Sequence, residues 1–395
     1  MKIIIDKAER LWRIPQPALG PMRFAGKRLA GRGVELIDLD SLLPEIPEAI
    51  SLFDSVGRAG IMESGRPADQ ELISQLKARI AEKHLPLRSA RINSEKEIVL
   101  TPGIRAAATF LALSLLNSGD VAAYPDPGMQ YFRSAIRLAD GTPSSYPLNE
   151  RNDYIANISS LTQPPSKKLK ILFLNYPHNP TGAAVDNYFY RDLLKSIKFE
   201  NILIVLDCAY VHPGDFDAAS ILQVKGSRKK ALELHSFSTT LGLNGLGFAV
   251  GHRDVVSILE GLLDAIGFSP DIHRVTIAIK GLDHAEEIFA ARTESLNRRR
   301  EILSSGLKKI GWRLRGGRSI PFVWVKPPAW GSSLAFARRL FLKAGVRVAP
   351  GSDFGEGGEG WLRMTLHPDE KILWEALDRI SHHSRIWQRK YRAKT

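Results

Sequence analysis

The chain has 395 residues, 44% of them hydrophobic, and a formal net charge of +13, enough for a large core and more than one domain. Its basic excess is scattered, except in a tail from Arg385 to Lys394, and no recognised motif accompanies it, so specific nucleic-acid binding is not expected. A single cysteine, Cys208, excludes an internal disulfide framework and a cysteine-based metal cluster, no apolar run reaches the roughly 18–20 residues of a membrane helix, and the opening MKIIIDKAERLW is too short in apolar residues for a signal peptide, so a cytoplasmic chain without metal is expected.

In chain order, the first organised feature is a Pro-rich stretch at 43–47, which reads as a hinge or an active-site loop. Residues 98–101 read as a strand running through Pro102 and Gly103 into a helix over 105–117. A strand at 120–124 closes in Pro125-Asp126-Pro127-Gly128, and an apolar strand at 170–174 ends in Asn175-Tyr176-Pro177. Helical spacing covers 186–197, a buried-type strand covers 201–206, and short strands follow at 232–236 and 247–250. The alternation of short apolar strands with helices predicts a mostly parallel α/β sheet covered on both faces, with ligands beyond the carboxyl ends of the strands.

After residue 284 the pattern changes. A long charged helix is expected over 284–307, a strand at 321–325 and a helix at 333–344. Strands at 346–349 and 361–366 flank a glycine-rich loop, and a last helix over 368–380 has Pro368 in its first turn. This suits a smaller α+β domain of 1–49 and 286–395 beside a large domain of 50–285.

Taken alone, Asn179-Pro180-Thr181-Gly182 is an ordinary turn. The next strand ends in Asp207-Cys208-Ala209-Tyr210, a carboxylate and a phenol that can converge into a cleft though either alone reads as a strand-end cap or surface residue, and Ser236 and Ser238 follow in order. With Gly103, Pro127-Gly128 and Arg363, this order resembles the class I/II aminotransferases of fold type I, which use pyridoxal phosphate (PLP), from about residue 30 to 383. The resemblance implies that Asp207 faces the pyridine nitrogen, where a carboxylate keeps the ring protonated. It also implies that Asn179 and Tyr210 hydrogen-bond the ring oxygen. By the same resemblance, Ser236 and Ser238 would hold phosphate with the backbone amides of Gly103, Ile104 and Arg105, since a helix start suits an anion. The resemblance implies that Arg363 clamps the substrate carboxylate through its bidentate fork, with Asn179 beside it; the alternative is a surface arginine beside Glu356 or Glu359. A homodimer with the cleft at the subunit interface is implied as well.

Four departures gather around that ligand. Thr239 stands where the family has its cofactor lysine, and a hydroxyl cannot form an imine with an aldehyde. The phosphate-binding arginine is missing from a stretch at Leu246-Gly247 that reads as two residues short, a loss of about 1.5–3 kcal/mol. Met129 takes the place of the ring-stacking aromatic, with Tyr131 and Phe132 close by. No tyrosine lies near Gly60, where many relatives lend one to the neighbouring subunit's phosphate. Arg105 either replaces the lost charge or faces solvent. Lys225, Lys229 and Lys230 read as a solvated turn, His235 as a packed histidine, and His178 as a weak candidate base. Three readings stay open: a degraded homologue that binds an amino-acid-like carboxylate without ordinary transamination; a PLP enzyme whose cofactor is noncovalent; and an ordinary aminotransferase with an unrecognised lysine. The first is the leading expectation.

Overall fold

The computed structural model describes residues 6–14, 35–41, 66–84, 92–162, 168–197, 201–213, 215, 218–317, 320–328 and 331–383. The expected loop at 43–47, the position near Gly60 and the basic tail lie outside the described residues. In chain order the strands are β1 (Ile37–Asp38), β2 (Ile98–Thr101), β3 (Val121–Asp126), β4 (Thr142–Pro147), β5 (Leu169–Asn175), β6 (Leu203–Asp207), β7 (Ala231–Ser236) and β8 (Gly247–Gly251). They continue with β9 (Arg313–Arg315), β10 (Phe322–Lys326), β11 (Val346–Arg347), β12 (Ala349–Pro350) and β13 (Leu362–Thr365).

Seven strands form one sheet in the order β2-β8-β7-β6-β5-β3-β4. Only β8 runs against its neighbours; the pairs β3–β4, β3–β5, β5–β6 and β6–β7 are parallel. Side chains alternate between the two faces, as a strand dictates. Ile204 and Leu206 of β6 enter one core, with Leu172 and Leu174 of β5. Val205, Ile171 and Phe173 point into the other. Each face is therefore apolar and covered, which is why these strands read as continuous apolar runs.

Four helices matter for the site: α1 (Ile104–Leu115), α2 (Tyr131–Leu138), α3 (Phe237–Leu241) and α4 (Ala285–Lys309). A smaller antiparallel sheet, β12-β13-β10-β9, lies in the C-terminal part. Its core, including Val323, Val325, Leu362 and Met364, also takes in Ile37 and Leu39 from the N-terminal part, and β1 pairs with β11. Helix α4 belongs to both cores: Ile288 packs with the large sheet, whereas Leu296, Leu303 and Leu307 pack with the small one.

The last helix departs from its expected start. It runs Glu370–His382 behind an Asp369 cap whose side chain accepts from the Ile372 N–H, so Pro368 precedes the cap instead of occupying the first turn. No helix among the described residues is long and apolar enough to cross a membrane.

Candidate active site

Parallel pairing brings the carboxyl ends of β5, β6 and β7 side by side, with Asn175 opposite Asp207. The Asn175 amide ties this edge together. Its Nδ2 donates to the Asp207 carbonyl at 2.9 Å, and its Oδ1 accepts from the Asn179 N–H at 2.9 Å. The turn carrying Asn179 is thereby fixed to the strand carrying Asp207.

Asn179 is buried and its amide is used in both directions. Nδ2 donates to the Tyr210 hydroxyl at 2.9 Å, and Oδ1 accepts from Arg363 Nη1 at 3.0 Å. The Tyr210 hydroxyl accepts in this contact, so its own hydrogen stays available to a further acceptor. Burial pushes the Tyr210 phenol up to about 12, against the pull of Arg363.

Arg363 reaches this point from β13 of the small sheet. Its Nη2 donates to the Asp40 carbonyl at 3.2 Å and stands 3.5 Å from the Asp40 carboxylate. Its guanidinium lies 4.8 Å from the Phe354 ring centre, and its buried Nε has no partner. Burial lowers its affinity for its proton, and Tyr210 and Asp40 oppose that. A buried cation with an unsatisfied N–H is chemically suited to an incoming carboxylate.

At the end of β6, the Asp207 Oδ1 accepts from the Ala209 N–H at 2.8 Å, and Oδ2 accepts from the Tyr131 hydroxyl. Burial raises the Asp207 carboxyl above the ordinary carboxylate range, and these two hydrogen bonds work against the rise. Burial, then the Asp207 charge, drives Tyr131 well above an ordinary phenol.

Ser236 ends β7 and caps α3: its Oγ accepts from the Ser238 N–H at 3.2 Å and lies 3.0 Å from Ser238 Oγ. Thr239 lies on α3, where its hydroxyl donates to the Ala209 carbonyl and also lies 3.3 Å from the Ser236 carbonyl. Ala209 thus joins the two positions, with its N–H on Asp207 and its carbonyl on Thr239. From α4, Arg292 donates to the carbonyls of Thr239 and Thr240.

Gly103, at φ 103°, opens α1, and a Cβ added there would enter open space. Ile104 turns into the core, whereas Arg105 stays exposed with its guanidinium 6.0 Å from the Tyr131 ring centre. Its charge is felt at Asp207, Tyr210 and Arg363, so it belongs to this side of the molecule. Gly247 sits on β8 opposite Thr101 and Ser236. A Cβ there would come within 2.5 Å of the His235 carbonyl and 3.2 Å of Gly103 Cα, so the backbones meet too closely for a side chain.

Other candidates fall away from the cleft or into packing. Met129 packs, partly buried, against both cores. Phe132 is fully buried and stacks on Phe173 at 4.7 Å. His178 is buried, with Nδ1 2.7 Å from Thr181 Oγ1 and Nε2 without a partner, and burial holds it down to about 3. His235 stacks on Phe248 at 4.7 Å and lies 3.1 Å from Glu233. Cys208, Glu233 and His235 form the one close group of His, Cys and acidic side chains among the described residues. Glu233 in it is already bound by Ser220 Oγ at 2.7 Å and the Ile221 N–H at 3.0 Å. Lys225, Lys229 and Lys230 precede β7, on the order of 15–20 Å from its site end at strand rise.

Asn175, Asp40 and Arg292 were not expected at the site, and Tyr131 was expected only near the ring-stacking position, not on Asp207. Asn175 stands at the end of an apolar strand, four residues before Asn179, and was findable from that spacing. The other three reach the site through the fold: Tyr131 is 76 residues from Asp207, Arg292 is 53 from Thr239, and Asp40 is 323 from Arg363.

The family profile described as aminotransferase class I and II matches residues 61–380. Curated relatives include an LL-diaminopimelate aminotransferase from Halothermothrix orenii, 27% identical over 96% of this chain and 98% of that protein. Another, of the same name, from Natranaerobius thermophilus is 30% identical over 95% of this chain and 99% of its own length. Among solved structures, substrate-bound BacF from Bacillus subtilis superposes with a TM-score of 0.86 at 25% identity, covering 96% of this chain and 98% of that one.

These relatives overturn the leading expectation of a degraded site without ordinary transamination. Proteins at 27–30% identity over nearly the whole chain carry the name of an aminotransferase. That expectation rested on isolated positions around Thr239. In the fold, Asn179, Tyr210 and Arg363 form one continuous hydrogen-bonded group beside Asp207.

Proposed function

Because the chain belongs to the class I and II aminotransferase family, we propose that it is an active PLP-dependent aminotransferase for a carboxylate-bearing amino acid, with its cofactor held noncovalently. The observation that carries this reading is the Arg363–Asn179–Tyr210 chain of hydrogen bonds beside the buried Asp207 carboxylate. The donor set suits the cofactor: an acceptor for a ring N–H, donors for a ring oxygen, two serines and an open helix start for a phosphate, and a buried cation lacking one partner.

When bound, PLP supplies an electron sink for charge at the substrate Cα. Asp207 would hold the proton on the ring nitrogen by accepting from it, since a carboxylate beside the ring favours the protonated form. Asn179 and Tyr210 would orient the ring oxygen. Ser236, Ser238 and the amides of Gly103, Ile104 and Arg105 would hold phosphate at the α1 start. Arg363 would bind the substrate carboxylate, with Asn179 fixing the plane of its guanidinium. Thr239 has no amine, so cofactor retention rests on these contacts together.

The same reading divides the chain into units of 50–285 and of 1–49 with 286–395, and pairs two copies as a homodimer. The relatives' name makes LL-diaminopimelate the first amino donor to assay. Purified protein supplied with PLP is expected to transfer the amino group of LL-diaminopimelate to a 2-oxo acid and to show a saturable change in PLP absorbance. Borohydride treatment followed by peptide mapping should leave no stoichiometric lysine adduct. A stoichiometric adduct would replace noncovalent retention with an ordinary covalent one. No transfer with this or any other carboxylate donor would sink the enzymatic reading.

A further inference from the structure

The Tyr131 hydroxyl donates to Asp207 Oδ2, the carboxylate oxygen that the Ala209 N–H leaves open. A phenol O–H and a protonated ring nitrogen are donors of the same kind, and each would make a charge-assisted hydrogen bond to a buried carboxylate. Tyr131 is the first residue of α2, and its ring is only partly buried, with Arg105 6.0 Å from the ring centre. The Asp207 side chain, by contrast, is buried and held through Oδ1 by the Ala209 N–H, which leaves Oδ2 as the oxygen that a further donor would approach.

We propose that Tyr131 is an internal competitor for the cofactor: its phenol occupies the place on Asp207 that a ring N–H would take, so PLP binds only with Tyr131 displaced. This rests on the PLP reading of the same site. Tyr131 then sets the affinity of the site, and with it the fraction of the protein that is loaded at a given PLP concentration. The tyrosine also keeps the buried carboxylate partnered in the empty state, where an orphaned acceptor would be costly. Loading exchanges one donor for another and leaves no unsatisfied charge at either end.

The test is equilibrium binding of PLP, followed by ultrafiltration and absorbance, to the full-length protein and to Tyr131→Phe and Tyr131→Val. Removing the competing hydroxyl should tighten PLP binding by about tenfold or more, the effect of a hydrogen bond to a charged group. Tyr131→Phe keeps the ring and its packing, so it decides the matter if Tyr131→Val fails to fold. Equal or weaker PLP binding by the folded variants, with the unaltered protein binding PLP, would overturn the competitor role while leaving the PLP reading intact. No PLP binding by any of the three proteins would overturn the PLP reading and the competitor role together.

Discussion

At the scale of single residues, Arg363 and Asn179 can be separated by their kinetics. Arg363→Lys keeps a positive charge but loses the planar fork, so KM for the carboxylate donor should rise about tenfold or more while the PLP dissociation constant stays nearly unchanged. Asn179→Ala removes one partner each from Arg363 and Tyr210, so both KM and the PLP dissociation constant should rise in the same assays. His178 gives a stability signature instead. Burial holds it at about 3 in the fold, against an ordinary histidine value near ~6.5. Between those values the unfolded chain binds a proton that the folded chain refuses. Stability therefore falls as pH drops through that window, by up to about 1.4 kcal/mol per pH unit for this one group. His212, also held down by burial, adds to the slope. Melting temperature measured from pH 4 to 6.5 should depend less steeply on pH in His178→Asn; an unchanged slope would remove His178 from the account. That Asn179, Asp207, Tyr210 and Arg363 lie close together was legible from their order in the chain, the first three following the ends of β5 and β6 and Arg363 lying on β13. The Tyr131–Asp207 contact was not, since its partners are 76 residues apart and meet only through the placement of α2.

At the scale of elements, apolar runs located most strands of the large sheet to within two or three residues, because both faces of that sheet are covered. The exception is β4, whose Thr-Pro-Ser-Ser-Tyr-Pro run buries only Tyr146 and pairs only with β3. An edge strand of this kind carries no apolar run to read. The loop behind Arg363 depends on glycine for space more than for backbone freedom. Gly351 donates its N–H to the Trp361 carbonyl at 2.8 Å, and a Cβ on it would lie 1.8 Å from the Gly358 carbonyl. Gly351→Ala should therefore destabilise the protein by about 2 kcal/mol or more in denaturant unfolding. Gly311→Ala is the matched control: its φ of 83° is unfavourable for alanine, but no atom lies near the added Cβ, so about 1 kcal/mol is expected. Similar costs at the two positions would show that the loop yields around Gly351.

At the scale of the whole molecule, the sequence marked a large α/β part and a smaller C-terminal one, but not the element that serves both. Helical spacing gave the length of α4 closely and said nothing of its two partners. Its 25 residues span about 37 Å; Ile288 is committed to one core, Leu296, Leu303 and Leu307 to the other, and Arg292 to the backbone of Thr239 between them. Neither core can melt and leave the other whole, because each would strip the same helix of part of its apolar packing. Scanning calorimetry of the protein should accordingly give a single endotherm, with calorimetric and van't Hoff enthalpies in agreement per cooperative unit. Ile288→Ala, in a different core cluster from Leu296, Leu303 and Leu307, should move that one transition down without splitting it. Two resolved endotherms would mean that the helix breaks near Arg292 and that the halves melt as independent bodies. A shared helix thus makes thermal failure all-or-none, and damage in the remote C-terminal core would undo the candidate cleft as surely as damage beside it.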